Sequence, residues 1–445
     1  MLKVVPMILA IALCFSNLGF IDLGGIAHDK PVKVADNRLP RNHLTQDAQA
    51  APLEDQLIDF EDVAENPSQA VSEEIVQSDR QILRLHWDIV QNAVKYEVFI
   101  EGTKHITYTN GIEMTVSDVS APFQVNAIAL DGSTIETNVT VRNLDTNPTA
   151  PRTTTEFDKM NYPPIYPVYS WIPTFGADHY EIELIKDGQI VRRYFTQLQP
   201  EDDDFDFYDK HPVLEEGIYF WRVRGLNQDN QPVTQWSERD EANSFEVKHQ
   251  VRFCAFGDSI THGGGAVSVP PSTIVYNWET YCAIPVKNLG RSGDTTAELL
   301  DRFDNDVLPF RPEILFIMAG VNDYRANIPA WQSVQNLELL RDKCYFNGIK
   351  PVFITPTPLN PAQIQKLGFV EVPPSDWQQQ QKIICEWICR QEYFIDANDK
   401  LTDSDGNLIE TLSVDGLHPD AEGKKIIGEA VAAWLDKYLN LGTVN

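Results

Sequence analysis

A chain of 445 residues exceeds one typical domain, and two to four are expected. Its hydrophobic share of 42% is enough to bury real cores, which excludes global disorder. Its 65 acidic residues outnumber 36 basic ones, and the net charge of -29 repels phosphates, so nucleic acid and anionic membrane surfaces are set aside as partners in favour of neutral, cationic or polymeric ones.

The chain opens MLKVVPMILAIALCFSNLGF. One Lys precedes an apolar stretch from Val4 to Phe15, the layout of a secretory signal and short for a membrane span. A signal peptide over residues 1–25 is therefore expected, with a secreted or periplasmic location and no membrane-spanning segment in the mature chain. The alternatives are an uncleaved anchor, since Leu18 to Ile21 is also apolar, and a lipid anchor at Cys14, where the bulky Leu13 stands in place of a small residue. Losing Cys14 leaves an odd number of the 6 Cys, so complete disulfide pairing is impossible. Cys385 and Cys389, one helical turn apart, read as small buried apolar residues rather than as a disulfide or metal pair, and no Cys/His set has zinc spacing.

Residues 26–79 are polar and acidic without a sustained period, the composition of a flexible linker. An internal repeat follows. Trp87, Ala93, Tyr96 and Glu97 match Trp171, Ala177, Tyr180 and Glu181 in spacing. Alternation such as Tyr219, Trp221 and Val223 puts every second side chain on one face of a strand, and Asp-Gly turns recur at 131–132 and 187–188. Two β-sandwich modules are expected, over 80–146 and 147–248. Tyr219–Arg224 and the later TQWSE resemble fibronectin type III domains, a likeness that speaks to fold and hardly at all to chemistry. The run Asp202-Asp203-Asp204-Phe205-Asp206 could gather oxygens around Ca²⁺, but a solvated loop is the preferred reading; TDSDGNLIE at 402–410 reads as a turn.

From 249 to 445 the pattern changes. VRFCAF, EILFIM, KPVFITP and YFIDA are short apolar runs, the look of strands buried on both faces, and amphipathic stretches lie between them. Alternating strands and helices predict a parallel sheet with helices on both faces and a ligand site beyond the carboxyl ends of the strands. Four stretches with chemistry fall near those ends or on a late loop. FGDSITHG carries Ser259, and SVDGLHPD carries Asp415 and His418 three residues apart. A serine hydroxyl needs a base, and the base needs a partner that fixes its tautomer. His418 and Asp415 could supply these, although a surface loop with Asp420 capping the final helix explains the same residues. His262, the other histidine between 250 and 445, reads as solvent-facing or as part of a pocket wall, with the base role as the alternative. Gly293 in NLGRSGDTT and Asn322 in MAGVNDY could aim N–H groups at an oxyanion together with the Ser259 amide; each could equally mark a turn or a strand end.

In their order and spacing, these four motifs make residues 252–440 resemble the SGNH, or GDSL, hydrolase family. The resemblance implies a flavodoxin-like three-layer α/β/α fold without metal or cofactor. It implies Ser259 as nucleophile, His418 as base, Asp415 as its orienter, and Ser259, Gly293 and Asn322 as oxyanion donors. Thr261 stands where the G-x-S-x-G elbow of the larger α/β-hydrolases needs Gly. The long segment Leu359–Pro374 could shape the pocket, and Trp278, Tyr281, Tyr324 and Trp331 near the motifs are taken as core packing before substrate contacts. The expectation is an extracytoplasmic serine esterase for short acyl groups, such as O-acetyl groups on carbohydrate. The alternatives are a lipase, phospholipase or thioesterase for longer chains, or a non-catalytic binding protein.

Overall fold

The computed structural model describes residues 81–137, 139–143, 150–196, 205–264, 271–368 and 371–441. The expected signal peptide, Cys14, the 26–79 linker and Asp202 to Asp204 lie outside them.

The first β module contains β1 (Gln81–Trp87), β2 (Lys95–Ile100), β3 (Thr103–Thr107), β4 (Gly111–Val116), β5 (Phe123–Ile128), β6 (Thr134–Thr137) and β7 (Val141–Asn143). They form two sheets, ordered β4-β1-β7 and β3-β2-β5-β6. In the second module, β8 (Val168–Ser170) pairs with β11 (Asp206–Tyr208). The other sheet is ordered β10-β9-β12-β13, from β9 (His179–Lys186), β10 (Gln189–Phe195), β12 (Gly217–Leu226) and β13 (Ser244–Val247). The second module therefore repeats the connectivity of the first, apart from β7. The sequence repeat has a physical cause. Trp87 and Tyr96 meet at 5.1 Å, and the Tyr96 hydroxyl accepts the Val90 N–H at 3.0 Å. Trp171 and Tyr180 meet at 5.0 Å, and the Tyr180 hydroxyl accepts the Thr174 N–H at 2.7 Å. The alternation of Tyr219, Trp221 and Val223 buries all three. On the opposite face of β12, Arg222 and Arg224 pair with Glu183 and Glu181 and stack on Trp236 at 4.3 and 4.5 Å, so the Trp of TQWSE covers an ion-paired ladder.

The C-terminal region is a five-stranded, all-parallel sheet ordered β15-β14-β16-β17-β18. Its strands are β14 (Phe253–Gly257), β15 (Lys287–Asn288), β16 (Ile314–Met318), β17 (Lys350–Ile354) and β18 (Phe394–Ile395). The helices are α1 (Ser259–His262), α2 (Thr296–Asp306), α3 (Val321–Arg325), α4 (Ala330–Phe346), α5 (Pro361–Leu367), α6 (Trp377–Ile388) and α7 (Ala421–Leu441). Numbered from its own first strand, the sheet reads 2-1-3-4-5, the flavodoxin-like order. Phe256 meets Phe303 of α2, whereas Phe316, in register with Ala255 and so on the other face, meets Trp434 of α7. Helices thus cover both faces, which is why these strands are apolar throughout. Gly257 ends β14 because a Cβ there would strike the Met318 carbonyl and the Thr261 side chain.

Two expectations need correction here. The described cysteines are free; Cys254, Cys282 and Cys344 are buried, but Cys385 is half-buried and Cys389 exposed. The buried stripe of α6 is Trp377, Gln381, Ile384 and Ile388, and Cys385 and Cys389 lie one position past it. Among the four aromatics, Trp278 and Tyr324 are core residues and the Tyr281 hydroxyl donates to the Val275 carbonyl, but Trp331 is 63% exposed on the first turn of α4. Gly406 turns at φ 80°, and the Asp403 carboxylate accepts the N–H groups of Asp405 and Asn407, as the turn reading requires. No helix among the described residues is long and apolar enough to cross a membrane.

Candidate active site

The site lies where the sheet order reverses, beyond the carboxyl ends of β14 and β16, the position at which such sheets bind ligands. After Gly257 the chain turns directly into α1. Asp258 caps this short helix by accepting the Ile260 N–H at 3.0 Å, which leaves Ser259 as its first residue. The Ser259 N–H, on the first turn, has no intrahelical acceptor. Ser259 Oγ lies 3.0 Å from His418 Nε2. His418 Nδ1 lies 2.7 Å from Asp415 Oδ2, and Asp415 Oδ1 accepts the N–H groups of Leu417 and His418. Burial alone would raise the Asp415 carboxyl; the His418 ring and the two N–H groups outweigh it and hold it below the usual carboxylate range. Asp415 is therefore a carboxylate at neutral pH, and it accepts a hydrogen bond from Nδ1–H, which leaves the Nε2 lone pair for the Ser259 hydroxyl. The capping role of Asp420 is also present, since its Oδ1 accepts the Gly423 N–H at 2.8 Å.

Gly293 is exposed, at φ 89°, on the turn after β15. Asn322 follows β16 in the first turn of α3 and is buried. Its Nδ2 donates to the Asp294 carbonyl at 2.8 Å, which ties the two proposed oxyanion positions to each other and leaves a second N–H on the amide. The turn is braced from below: Asp294 takes Arg291 at 2.7 Å and Arg302 at 2.5 Å, and Arg302 also donates to the Leu289 and Gly257 carbonyls. Asp323 holds the neighbouring helix, accepting the Thr296 N–H and the Ser333 hydroxyl.

Several supports were not singled out in the sequence. Lys424 is fully buried and its Nζ donates to the Ile260 carbonyl at 2.6 Å, joining α7 to the turn that carries Ser259. Burial pushes Lys424 down to about 8, and pushes Asp258 and Glu279 up to about 7. A charge on the stripe Ala421, Lys424, Ile427, Val431 and Leu435 is the signal that could have found it. Arg302, beside Leu299, Phe303 and Asp306 on α2, carries the same signal. Of the readings for His262, the solvent-facing one is corrected, and the ring that meets Ser259 is that of His418. His262 is buried, with Nε2 at 2.7 Å from the Tyr166 carbonyl and Nδ1 at 2.9 Å from Ser292 Oγ. A polar cleft of about 810 Å³ lies elsewhere, between the two β modules and Thr273, and none of Ser259, Gly293, Asn322, Asp415 and His418 lines it.

Residues 255–426 match the sequence profile of the GDSL-like lipase/acylhydrolase family. This region is a GDSL-like lipase/acylhydrolase domain. It makes the chain a carboxylic ester hydrolase. No curated protein matches the chain. Among solved structures, the GDSL domain is similar to a lipolytic protein of the G-D-S-L family from Desulfitobacterium hafniense, at 25% identity and TM-score 0.34, covering 42% of this chain and 99% of that one. It is similar to a lipase/acylhydrolase from Enterococcus faecalis at 24% identity and TM-score 0.35, covering 42% and 97%. An acetylxylan esterase from Geobacillus stearothermophilus matches at 18% identity and TM-score 0.32, covering 42% and 94%.

Proposed function

We propose that the chain is an extracytoplasmic serine esterase for short acyl esters, with O-acetylated carbohydrate as the natural substrate class. Ser259 Oγ attacks the ester carbonyl while His418 Nε2 takes its proton, and Asp415 stabilises the imidazolium. The carbonyl oxygen, now negative, receives N–H groups from Ser259, Gly293 and Asn322. The tetrahedral adduct expels the alcohol, which leaves with the proton from His418, and water then releases the acyl group by the same steps in reverse. The reading rests on one observation above the others: the continuous chain Ser259 Oγ, His418, Asp415 at 3.0 and 2.7 Å. The small acyl group is supported by the tightness of the site, since Ser259 is 6% exposed and His418 5%. The acidic chain and its signal-like N-terminus support an extracytoplasmic location and a neutral polymer as the alcohol. We read the two β modules as fibronectin type III-like, on the strength of their shared two-sheet connectivity.

The test is a profile of p-nitrophenyl esters from acetate to palmitate on the full chain and on Ser259→Ala, followed by release of acetate from acetylated xylan or pectin. Acetate is expected to be preferred, and Ser259→Ala to lose about a million-fold in kcat. A variant that retains the wild-type rate refutes the nucleophile, and a preference for palmitate refutes the short acyl group.

A further inference from the structure

We infer that the second β module is part of the catalytic machinery: its segment 163–166 fixes the oxyanion turn through His262, which is a positioning residue. This rests on the reading of Gly293 as an oxyanion donor. The segment lies along β15, the edge strand of the GDSL sheet. Ile165 N–H donates to the Asn288 carbonyl at 3.1 Å, and Lys287 Nζ donates to the Pro163 carbonyl at 3.0 Å. The segment is held from its own side as well, where the Val213 N–H donates to the Ile165 carbonyl at 2.7 Å. Tyr166 ends it: its hydroxyl donates to Asp306 at 2.7 Å, and its ring lies 5.7 Å from the guanidinium groups of both Arg291 and Arg302.

The tautomer of His262 follows from its partners. A carbonyl only accepts, so Nε2 carries the proton that goes to Tyr166. In the neutral ring Nδ1 is then an acceptor, and it faces the Ser292 hydroxyl at 2.9 Å and the Ser292 N–H at 3.3 Å. Ser292 is the residue before Gly293, so the ring anchors the side chain and N–H of the residue whose carbonyl carbon bears the Gly293 N–H. The ring in turn is anchored on a backbone carbonyl of the other module. Gly290 permits the approach, because a Cβ there would collide with the His262 backbone. Oxyanion donors act only at the correct distance from the developing charge, and misplacement by about 1 Å can cost roughly 100-fold in rate.

Two isosteres separate the links. In His262→Asn the side-chain oxygen falls near the position of Nδ1 and can still accept from Ser292, but nothing reaches Tyr166. In His262→Gln the side-chain nitrogen falls near the position of Nε2 and can still donate to Tyr166, but the acceptor for Ser292 is lost. Each full-chain variant is titrated for active sites with a fluorophosphonate probe, assayed on p-nitrophenyl acetate, and tested for inhibition by phenylboronic acid, whose tetrahedral adduct needs the same donors. Both variants are expected to lose about 10-fold or more in kcat per titrated site, with KM within about twofold and the boronate inhibition constant raised in parallel. Wild-type kcat in His262→Asn, or a loss confined to His262→Gln, overturns the coupling to the module. A loss of folding stability with kcat and boronate inhibition unchanged overturns it too, since that is what a merely structural contact does. If neither variant folds, Ser292→Ala reads the same link at a partly exposed position, and an unchanged boronate constant there overturns it. Ser259→Ala tests the nucleophile separately, so the two readings fail independently.

Discussion

The two β modules share strand connectivity and a Trp–Tyr pair, yet they meet the GDSL domain through different contacts. The turn between Trp and Tyr shows how. Asn92 and Gly176 occupy equivalent positions in the repeat, at φ 65° and 85°. In the first module the Asn tolerates the left-handed turn and uses its side chain. Its N–H donates to the Tyr276 hydroxyl at 2.9 Å and its Nδ2 to Asp420 at 3.2 Å, while Val94 packs with Tyr276, Val414 and Ala421. These contacts flank the loop that carries Asp415 and His418. In the second module the Gly faces open space; that module meets the GDSL domain through Glu156, whose carboxylate accepts the Ile274 N–H at 2.8 Å, and through segment 163–166 beside the turn that carries Gly293. The first module therefore touches the domain near the proposed base through Asn92 and Val94, and the second reaches the proposed oxyanion turn through backbone carbonyls.

The comparison can be sharpened from the largest effect downward. On the base side, His418→Ala is expected to cost about as much as Ser259→Ala, near a million-fold in kcat, because nucleophile and base act as a unit. On the oxyanion side, Asn322→Ala is expected to lower kcat by about 100- to 1,000-fold with little change in KM. A rise in KM alone would show that Asn322 binds the ground state instead.

The next effect is one of pH. Burial first, then the Arg302, Lys424 and Arg291 charges, push the His262 ring down to about 4, against the pull of the Tyr166 carbonyl; Ser292 faces its other nitrogen. An unfolded chain binds a proton at this histidine near 6.5, and the folded one refuses it until about 4. The contribution is thus complete above 6.5 and is lost as pH falls toward 4. Urea midpoints of wild type and His262→Asn across that window should show a steeper acid-side fall for wild type; parallel curves would mean that the ring titrates freely. The smallest effect is expected for Asn92→Gly, which gives the first module the turn of the second. About 1 kcal/mol of stability should go with the Asp420 hydrogen bond, and kcat should hold. If kcat falls as far as in the His262 variants, the two modules do not differ as described.

Much of the site was legible because its residues sit where apolar runs stop. In a parallel sheet those stops are the strand ends that face the ligand, so Ser259 and Asn322 stood out as candidates, and the four motifs in combination, with the Asp415–His418 spacing of one turn, carried the resemblance. The Trp–Ala–Tyr repeat was legible because one ring pair and one hydroxyl contact demand that spacing. The docking of the modules was not legible. Its acceptors on the module side are the carbonyls of Pro163 and Tyr166, which every residue type carries, and their partners are 124 and 96 positions away. His262 read as solvent-facing or as part of a pocket wall for the same reason: nothing local marks the carbonyl that satisfies it.

The pairing of Ile165 with Asn288 has a practical meaning for anyone who would cut this protein in two. A bare lateral rim of a sheet is an invitation to self-association, and folds that expose one usually blunt it. Here the blunting strip is contributed from upstream of residue 249, where the apolar pattern alone would place the scissors. An excised C-terminal piece would carry an uncovered flank and would bring Lys287, now fully buried against Pro163, back into water. Clumping of such a fragment in the test tube would then report the missing strip and not any fault in the esterase fold.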